Sequence, residues 1–397
     1  MFALTNEIRR YAWGSRTAMA EFLGRVSPGG DPEAELWIGA YAGSPSRLPD
    51  DRTLPQLIED DPLAALGPSA VARFGPRLPF LMKVLTIGAP LSLQAHPNTL
   101  QAEAGFAAEQ AAGVPIDDPA RNYRDARHKP EMLCALTPVE AFTGFRPVAD
   151  GLALLDELSV RELDGLRETL SASGLRGSVK WIYGLSDAAV PPTISALKES
   201  ATTRAGRASS YARELQWILR LAEEYPRDRG VILTLLCNFV RLDPGEALFI
   251  PAGCLHAYLS GVGVEIMAES DNVLRGGLTT KHVDVVDLQR VLDFSDAKPQ
   301  VLCGCQDGVG RTRFPTEAQE FDLSRLEVTD DVALEGGRPT LLLTVEGSAR
   351  LQAPDATVLD LPRGQAAFVT AAEQGVRISG PAVVFEASTG QSPPSDS

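Results

Sequence analysis

The chain lacks most of the features that would place it in an easy class. No apolar run approaches the roughly 20 residues that a membrane-spanning helix needs. The opening MFALTNEIRRYAWGS is charged and broken, without the apolar centre of a signal peptide, so a cytoplasmic protein is expected. Basic residues are in deficit, 37 against 52 acidic, leaving a formal charge of −15. That balance argues against nucleic acid and against an anionic membrane as partners. It also means that an anionic substrate would require a locally basic pocket. Cysteine is sparse and odd in number, five in 397 residues, which implies no disulfide framework and agrees with a reducing compartment. Cys303 and Cys305 form a lone CxC without a second pair or a nearby histidine, and are read as ordinary thiols. Histidine is sparse too: His96, His128, His256 and His282 are the whole supply of imidazole.

What is present is enough chain, 44% of it hydrophobic, for two or three cores. The stretch Leu242 to His282 organises it. A Pro244–Gly245 turn, the apolar run Ala247 to Ile250 and a second turn at Pro251 to Gly253 predict a strand, with His256 just past it at a sheet rim. Leu259, Val262, Val264 and Ile266 then follow at strand spacing, which lets Glu265 and Arg275 reach the same cavity. Upstream, a helix is expected from Leu54 to Leu66. The two apolar runs between Leu78 and Asn98, broken by Gly88 and Pro90, predict a hairpin. On its second run Ser92, Gln94 and His96 alternate with apolar residues and share a face. Pro130 ends any preceding helix, leaving Glu131 at the start of the buried strand MLCAL.

From Asp150 to about Tyr225 apolar residues recur at three- and four-residue spacing, predicting a helical insertion with Asp150 and Ser209 or Ser210 as caps. Short strands return after 300. There LPRGQAAFVTAAEQG, 361 to 375, can be laid without a gap on LDPGEALFIPAGCLH, 242 to 256. Gly245 falls on Gly364 and Phe249 on Phe368, but His256 falls on Gly375, so a second related unit without a metal is expected.

By residue type, Gln94, His96, Glu131 and His256 make a mixed imidazole, carboxylate and amide set. Such a set suits Zn²⁺ at a catalytic site with an open position. Glu131 would be the only charged ligand, so the site would keep about one positive charge, useful for polarising a carbonyl. Spacing alone leaves open the plainer reading, that these are unrelated polar residues.

Three blocks, LSLQAHPN, RHKPEM and IPAGCLHAYLSGVGVEIMAESDNVLRGGLTTKHVDV, resemble the signatures of type I mannose-6-phosphate isomerases, zinc enzymes of the cupin superfamily. YAWGS, AELWIG and LPFLMKVL support the resemblance, which spans residues 11 to about 286. It implies a mainly β fold of two tandem cupin barrels with an α-helical insertion. The catalytic barrel would be split into 1–149 and 228–299, around an insertion at 150–227. A metal-free C-terminal β domain at 300–390 and a mobile tail at 391–397 would follow. The family's zinc ligands fall on Gln94, His96, Glu131 and His256, its active-site arginine on Arg275 and its pocket lysine on Lys129. Ser92 and Lys281 match positions associated with phosphate, and Trp13, Glu35 and Glu265 match other pocket positions. Arg127 stands where the commonest form of the second block has asparagine, a departure expected to be tolerated.

The implied reaction interconverts mannose 6-phosphate and fructose 6-phosphate through a cis-enediol, with Zn²⁺ and Arg275 facing the oxyanion. Glu265 and a zinc-held hydroxide are both candidates for the base. His128 and His282 are read as structural. The partner expected is a small sugar phosphate, and the chain carries no oligomer signature, so a monomer is expected. Two competing readings are an Fe²⁺ cupin oxygenase, which has no need of Lys129, Arg275 and Lys281, and a sugar-phosphate sensor without turnover, which has no need of an intact ligand set.

Overall fold

The structure is a computed structural model and describes residues 1–27, 29–204 and 209–390. Its centre is the strand Phe80–Ile87, whose eight residues are all buried. It lies antiparallel between Glu35–Gly39 and the 13-residue strand His256–Ala268. The long strand serves two sets of neighbours. Its C-terminal half runs between Phe80–Ile87 and Glu131–Ala135, while its N-terminal half pairs with Val139–Phe145 and, at His256, with Leu93–Ala95. The change of partners is made at a register shift between Tyr258 and Ser260 and at Gly261, whose φ is 114°. A Cβ on Gly261 would lie 2.5 Å from the Pro138 carbonyl oxygen, so glycine is required there.

Among the described residues eleven strands join in this sheet and ten in a second one built mainly from the C-terminal third. Hydrogen bonding leaves both sheets open. The chain is thus β-rich with a helical insertion, formed by Val148–Leu158, Asp164–Gly184, Val190–Arg204 and Ala212–Glu224. The buried leucines of these helices share one core with Leu93, Ala95, Leu274 and Leu278 of the sheet, so the insertion is packed against the strands that carry Gln94 and Arg275.

The turn-and-strand echo is visible in the backbone. Gly245 and Gly364 have φ of 90° and 82°, and each precedes a four-residue strand, Ala247–Ile250 and Ala366–Val369. His256 opens the long strand, whereas Gly375 sits in a turn with φ 68°.

Several expectations are corrected. The runs within Leu78–Asn98 do not form a hairpin, because both edges of Phe80–Ile87 are already taken; Leu93–Ala95 pairs with His256 and with Leu274–Gly277 instead. The helix expected over Leu54–Leu66 is two, divided at Asp61, which caps the second through Ala64 N with Pro62 in its first position. Asp150 lies in the first turn of its helix rather than capping it, and the amide of Val148 is satisfied from outside by Asp296. Ser209 binds the amide of Tyr211 in a local turn before its helix. Phe2–Leu4 departs from the expected division of the chain, since it pairs with Ala366–Val369 in the C-terminal sheet. The tail at 391–397 lies outside the described residues.

Candidate metal centre and pocket

Leu93–Ala95 is only three residues long and is bonded on both sides, so Gln94 has His256 and Arg275 as its cross-strand neighbours. Paired residues of this kind hold their Cβ atoms roughly 5 Å apart. Two residues on, His96 is fixed by its backbone, whose carbonyl accepts from Gly253 N at 2.8 Å in the turn before His256. Glu131 opens its strand opposite Met267 and Ile250. Three distant stretches thereby converge. His256 Nε2 lies 2.9 Å from Glu131 Oε1, His96 Nε2 lies 3.3 Å from Glu131 Oε2, and the Gln94 amide lies 3.4 Å from His256 Nε2.

The protonation of this cluster decides what it can hold. His96 Nδ1–H donates to the Asn272 carbonyl at 2.7 Å and His256 Nδ1–H to the Cys254 carbonyl at 3.0 Å. Each ring therefore turns its Nε2 towards Glu131. Burial, then Lys129, pushes the His96 ring down to about 4, which keeps it neutral. Burial opposes the charge on Glu131, yet Lys129, 3.4 Å away, holds its carboxyl well below the usual range. His96 Nε2 and Glu131 Oε1 are buried without a hydrogen-bond partner. Lone pairs facing a carboxylate in a dry site are costly unless a cation lies between them. The donor atoms of His96, Glu131 and His256 all lie within 4.8 Å of one another, and the donor types fit a borderline divalent ion such as zinc.

A cavity of about 810 Å³ opens beside this cluster and is lined by Gln94, Glu131 and Lys129. Glu265, Glu35, Trp13, Ser92, Arg275 and Lys281 also line it. The structure thus gathers the candidate site residues around one cavity, with His96 and His256 fully buried next to Glu131. Burial, Arg124 and, for Lys281, Arg275 itself lower the proton affinity of Arg275 and Lys281, as expected of cations crowded together with little countercharge. Such a cluster attracts an anion. His128 points elsewhere, with Nε2 2.8 Å from Glu320 Oε1, and His282 is exposed.

Lys83 was missed from sequence. It stands in the middle of the buried run FLMKVLTI, where an ammonium group needs partners, and that placement was the available signal. Its Nζ lies 3.3 Å from Glu265 Oε2, 3.8 Å from Glu35 Oε1 and 4.6 Å from the centre of the Trp37 ring. Burial disfavours its charge, but Glu35 and Glu265 outweigh that and hold it above its ordinary value. Burial likewise pushes the Glu265 carboxyl up to about 7, with Lys83 pulling the other way.

A buried cage of two imidazoles and one carboxylate, facing a cavity rimmed with cations, defines a metalloenzyme site for a small anionic substrate. The comparisons narrow the class. The model of the type I phosphomannose isomerase catalytic domain matches residues 1–148. The chain is 37% identical over 389 residues to the mannose-6-phosphate isomerase of Escherichia coli K12, covering 96% of this chain and 97% of that one. To the human mannose-6-phosphate isomerase it is 31% identical, covering 94% of each. A solved zinc-bound mannose 6-phosphate isomerase superposes with a TM-score of 0.90 at 35% identity, covering 98% of this chain and 99% of that one. The apo form from Salmonella typhimurium gives 0.90 at 36% identity, with the same coverage. The chain belongs to the type I mannose-6-phosphate isomerase family.

Proposed function

We infer that this chain interconverts mannose 6-phosphate and fructose 6-phosphate, moving hydrogen between C1 and C2 of the opened sugar through a cis-enediol, with one zinc ion. The observation that carries this reading is the buried set of unpaired donor atoms beside a pocket that also holds a carboxyl tuned towards neutrality. Bound by Gln94, His96, Glu131 and His256, zinc would supply Lewis-acid stabilisation of negative charge on the sugar oxygens.

The remaining chemistry belongs to side chains. Glu265 takes the proton from the carbon beside the carbonyl and returns it to the neighbouring carbon, and a carboxyl near 7 is matched to that task at neutral pH. Lys83 limits how far burial can raise Glu265 and holds the carboxylate in place. Arg275, fixed by its pairing with Gln94, places charge and donors against the enediolate oxygens; one such preorganised donor is worth ~3–4 kcal/mol. Lys129, beside Glu131, faces the same oxygens. Ser92 and Lys281 receive the phosphate, one with a directional hydroxyl and the other with charge. Trp13 and Glu35 shape the wall on which the sugar lies.

Two tandem cupin-like barrels, with the catalytic one in 1–149 and 228–299, the insertion at 150–227 and a metal-free unit at 300–390, belong to this reading. The recurrence of the Gly245 and Gly364 turns supports it. A monomer in a reducing, cytoplasmic compartment belongs to this reading as well, in keeping with a cysteine content that is low and odd in number. Among the described residues no helix is long and apolar enough to cross a membrane. A coupled assay on mannose 6-phosphate tests the function: Gln94→Ala and His256→Ala should abolish turnover with the fold intact. Turnover indifferent to chelation and to both substitutions would defeat it.

A further inference from the structure

Lys281 follows Arg275 across a short turn that leaves the strand Leu274–Gly277, and the groups that hold this turn come from the helical insertion and the segment just after it. Tyr183, near the end of the helix Asp164–Gly184, donates its hydroxyl to the Gly276 carbonyl at 2.7 Å. Asp228 Oδ2 accepts from Thr279 N at 3.1 Å, and the hydroxyl of Thr279 in turn accepts from Lys281 N at 3.1 Å. A chain of two hydrogen bonds therefore runs from Asp228 to the backbone of Lys281. The turn and the 228–230 segment also touch directly. A Cβ on Gly277 would lie 2.6 Å from Asp228 Oδ1 and 2.6 Å from Gly230 Cα.

Between these anchors Leu278 adopts φ 54°, a region that a branched L side chain rarely enters, and buries its side chain among the helical leucines. Such a conformation persists only where the surroundings over-determine it. The plainer role for Asp228 is that of N-cap for the short helix Arg229–Leu233, through Gly230 N at 2.7 Å. That task uses Oδ1 alone, however, and leaves Oδ2 free to hold the turn. Arg275 does not depend on Asp228, because its strand is fixed by pairing with Leu93–Ala95.

We propose that Asp228, assisted by Tyr183, is a positioning residue for the phosphate end of the substrate, setting Lys281 through Thr279 while leaving the reacting carbons to Arg275 and the metal site. The inference rests on the reading in which Lys281 receives the phosphate. Asp228→Ser separates the two tasks, since serine caps a helix as well as aspartate but has one oxygen, carried on a shorter arm. In the zinc-loaded enzyme this variant should raise KM for mannose 6-phosphate at least tenfold. It should weaken competition by inorganic phosphate by the same factor, while kcat stays within twofold and zinc content is unchanged. Tyr183→Phe, which removes a single hydroxyl, should shift KM and the phosphate inhibition constant together by about threefold, and it decides the matter alone if the serine variant does not fold.

Unchanged KM and phosphate inhibition in a folded variant would overturn the proposal. So would a loss of kcat at constant KM. A parent enzyme that turns over no mannose 6-phosphate defeats the functional reading and this inference with it, whereas an active parent with unaffected variants defeats this inference alone.

Discussion

In the proposed reading, Glu265 as the base and Lys83 beside it set the pH behaviour of the pocket. A general base works deprotonated, and burial raises the Glu265 carboxyl to about 7, so activity should rise with pH through that region. A bound dication can only pull the value down, which places the midpoint of the acid limb of kcat/KM at or below about 7. Glu265→Gln should lower kcat by ~10²- to 10⁴-fold with zinc content unchanged and should remove that limb; a pH–rate profile that keeps it would assign the base elsewhere. Lys83→Met withdraws the charge that opposes burial, so the limb in that variant should move to higher pH. The candidate ligands were suggested by residue type, with His256 after the turn at Pro251 to Gly253 and Gln94 and His96 on one strand face, but only the resemblance of the three signature blocks set them apart from unrelated polar residues. Lys83 was not, because an apolar run is read for its period, and a single buried cation becomes informative only when its partners, here from two other strands, are seen.

The two glycine turns share a backbone conformation but differ in their surroundings. Gly245 and Gly364 both have φ near 80–90°, so alanine at either is strained, by ~1–2 kcal/mol. A Cβ at Gly245 meets nothing within 4 Å, whereas at Gly364 it would lie 2.7 Å from Leu23 Cδ2. Gly364→Ala should therefore destabilise the protein more than Gly245→Ala in denaturant titrations, and the reverse order would contradict the geometry. Helices and strands were legible where a period ran for several turns, as in the insertion. Pairing was not. Phe80–Ile87 and Leu93–Ala95 are adjacent in sequence and each is a strand, but which edges are free depends on Glu35–Gly39 and His256–Ala268, far away in the chain. Helix starts failed for a related reason: Val148 takes its partner from Asp296, a long-range contact that no local capping rule contains.

The two sheets share a core. Leu4, Phe80 and Ile266 fall in one buried cluster with Phe321, Phe368 and Phe385, and Phe2–Leu4 is a strand of the C-terminal sheet. Losing the cover of even four large apolar side chains, at ~1.5–3 kcal/mol each, approaches the ~5–15 kcal/mol that a folded domain has in total. A chain ending near residue 300 should therefore fail to fold, and the full chain should unfold in one cooperative calorimetric transition; two resolved transitions would show independent units. This sharing was invisible in the sequence, because the short N-terminal strand carries no mark of its partner, whereas the order of the signature blocks and the place of the insertion were plain. The account as a whole turns on one ion serving one reaction. Zinc titrated into chelator-stripped protein, with turnover of mannose 6-phosphate measured at each addition, should restore activity in proportion and stop at one equivalent per chain. Full turnover in the stripped protein, or none at any zinc content, would contradict it.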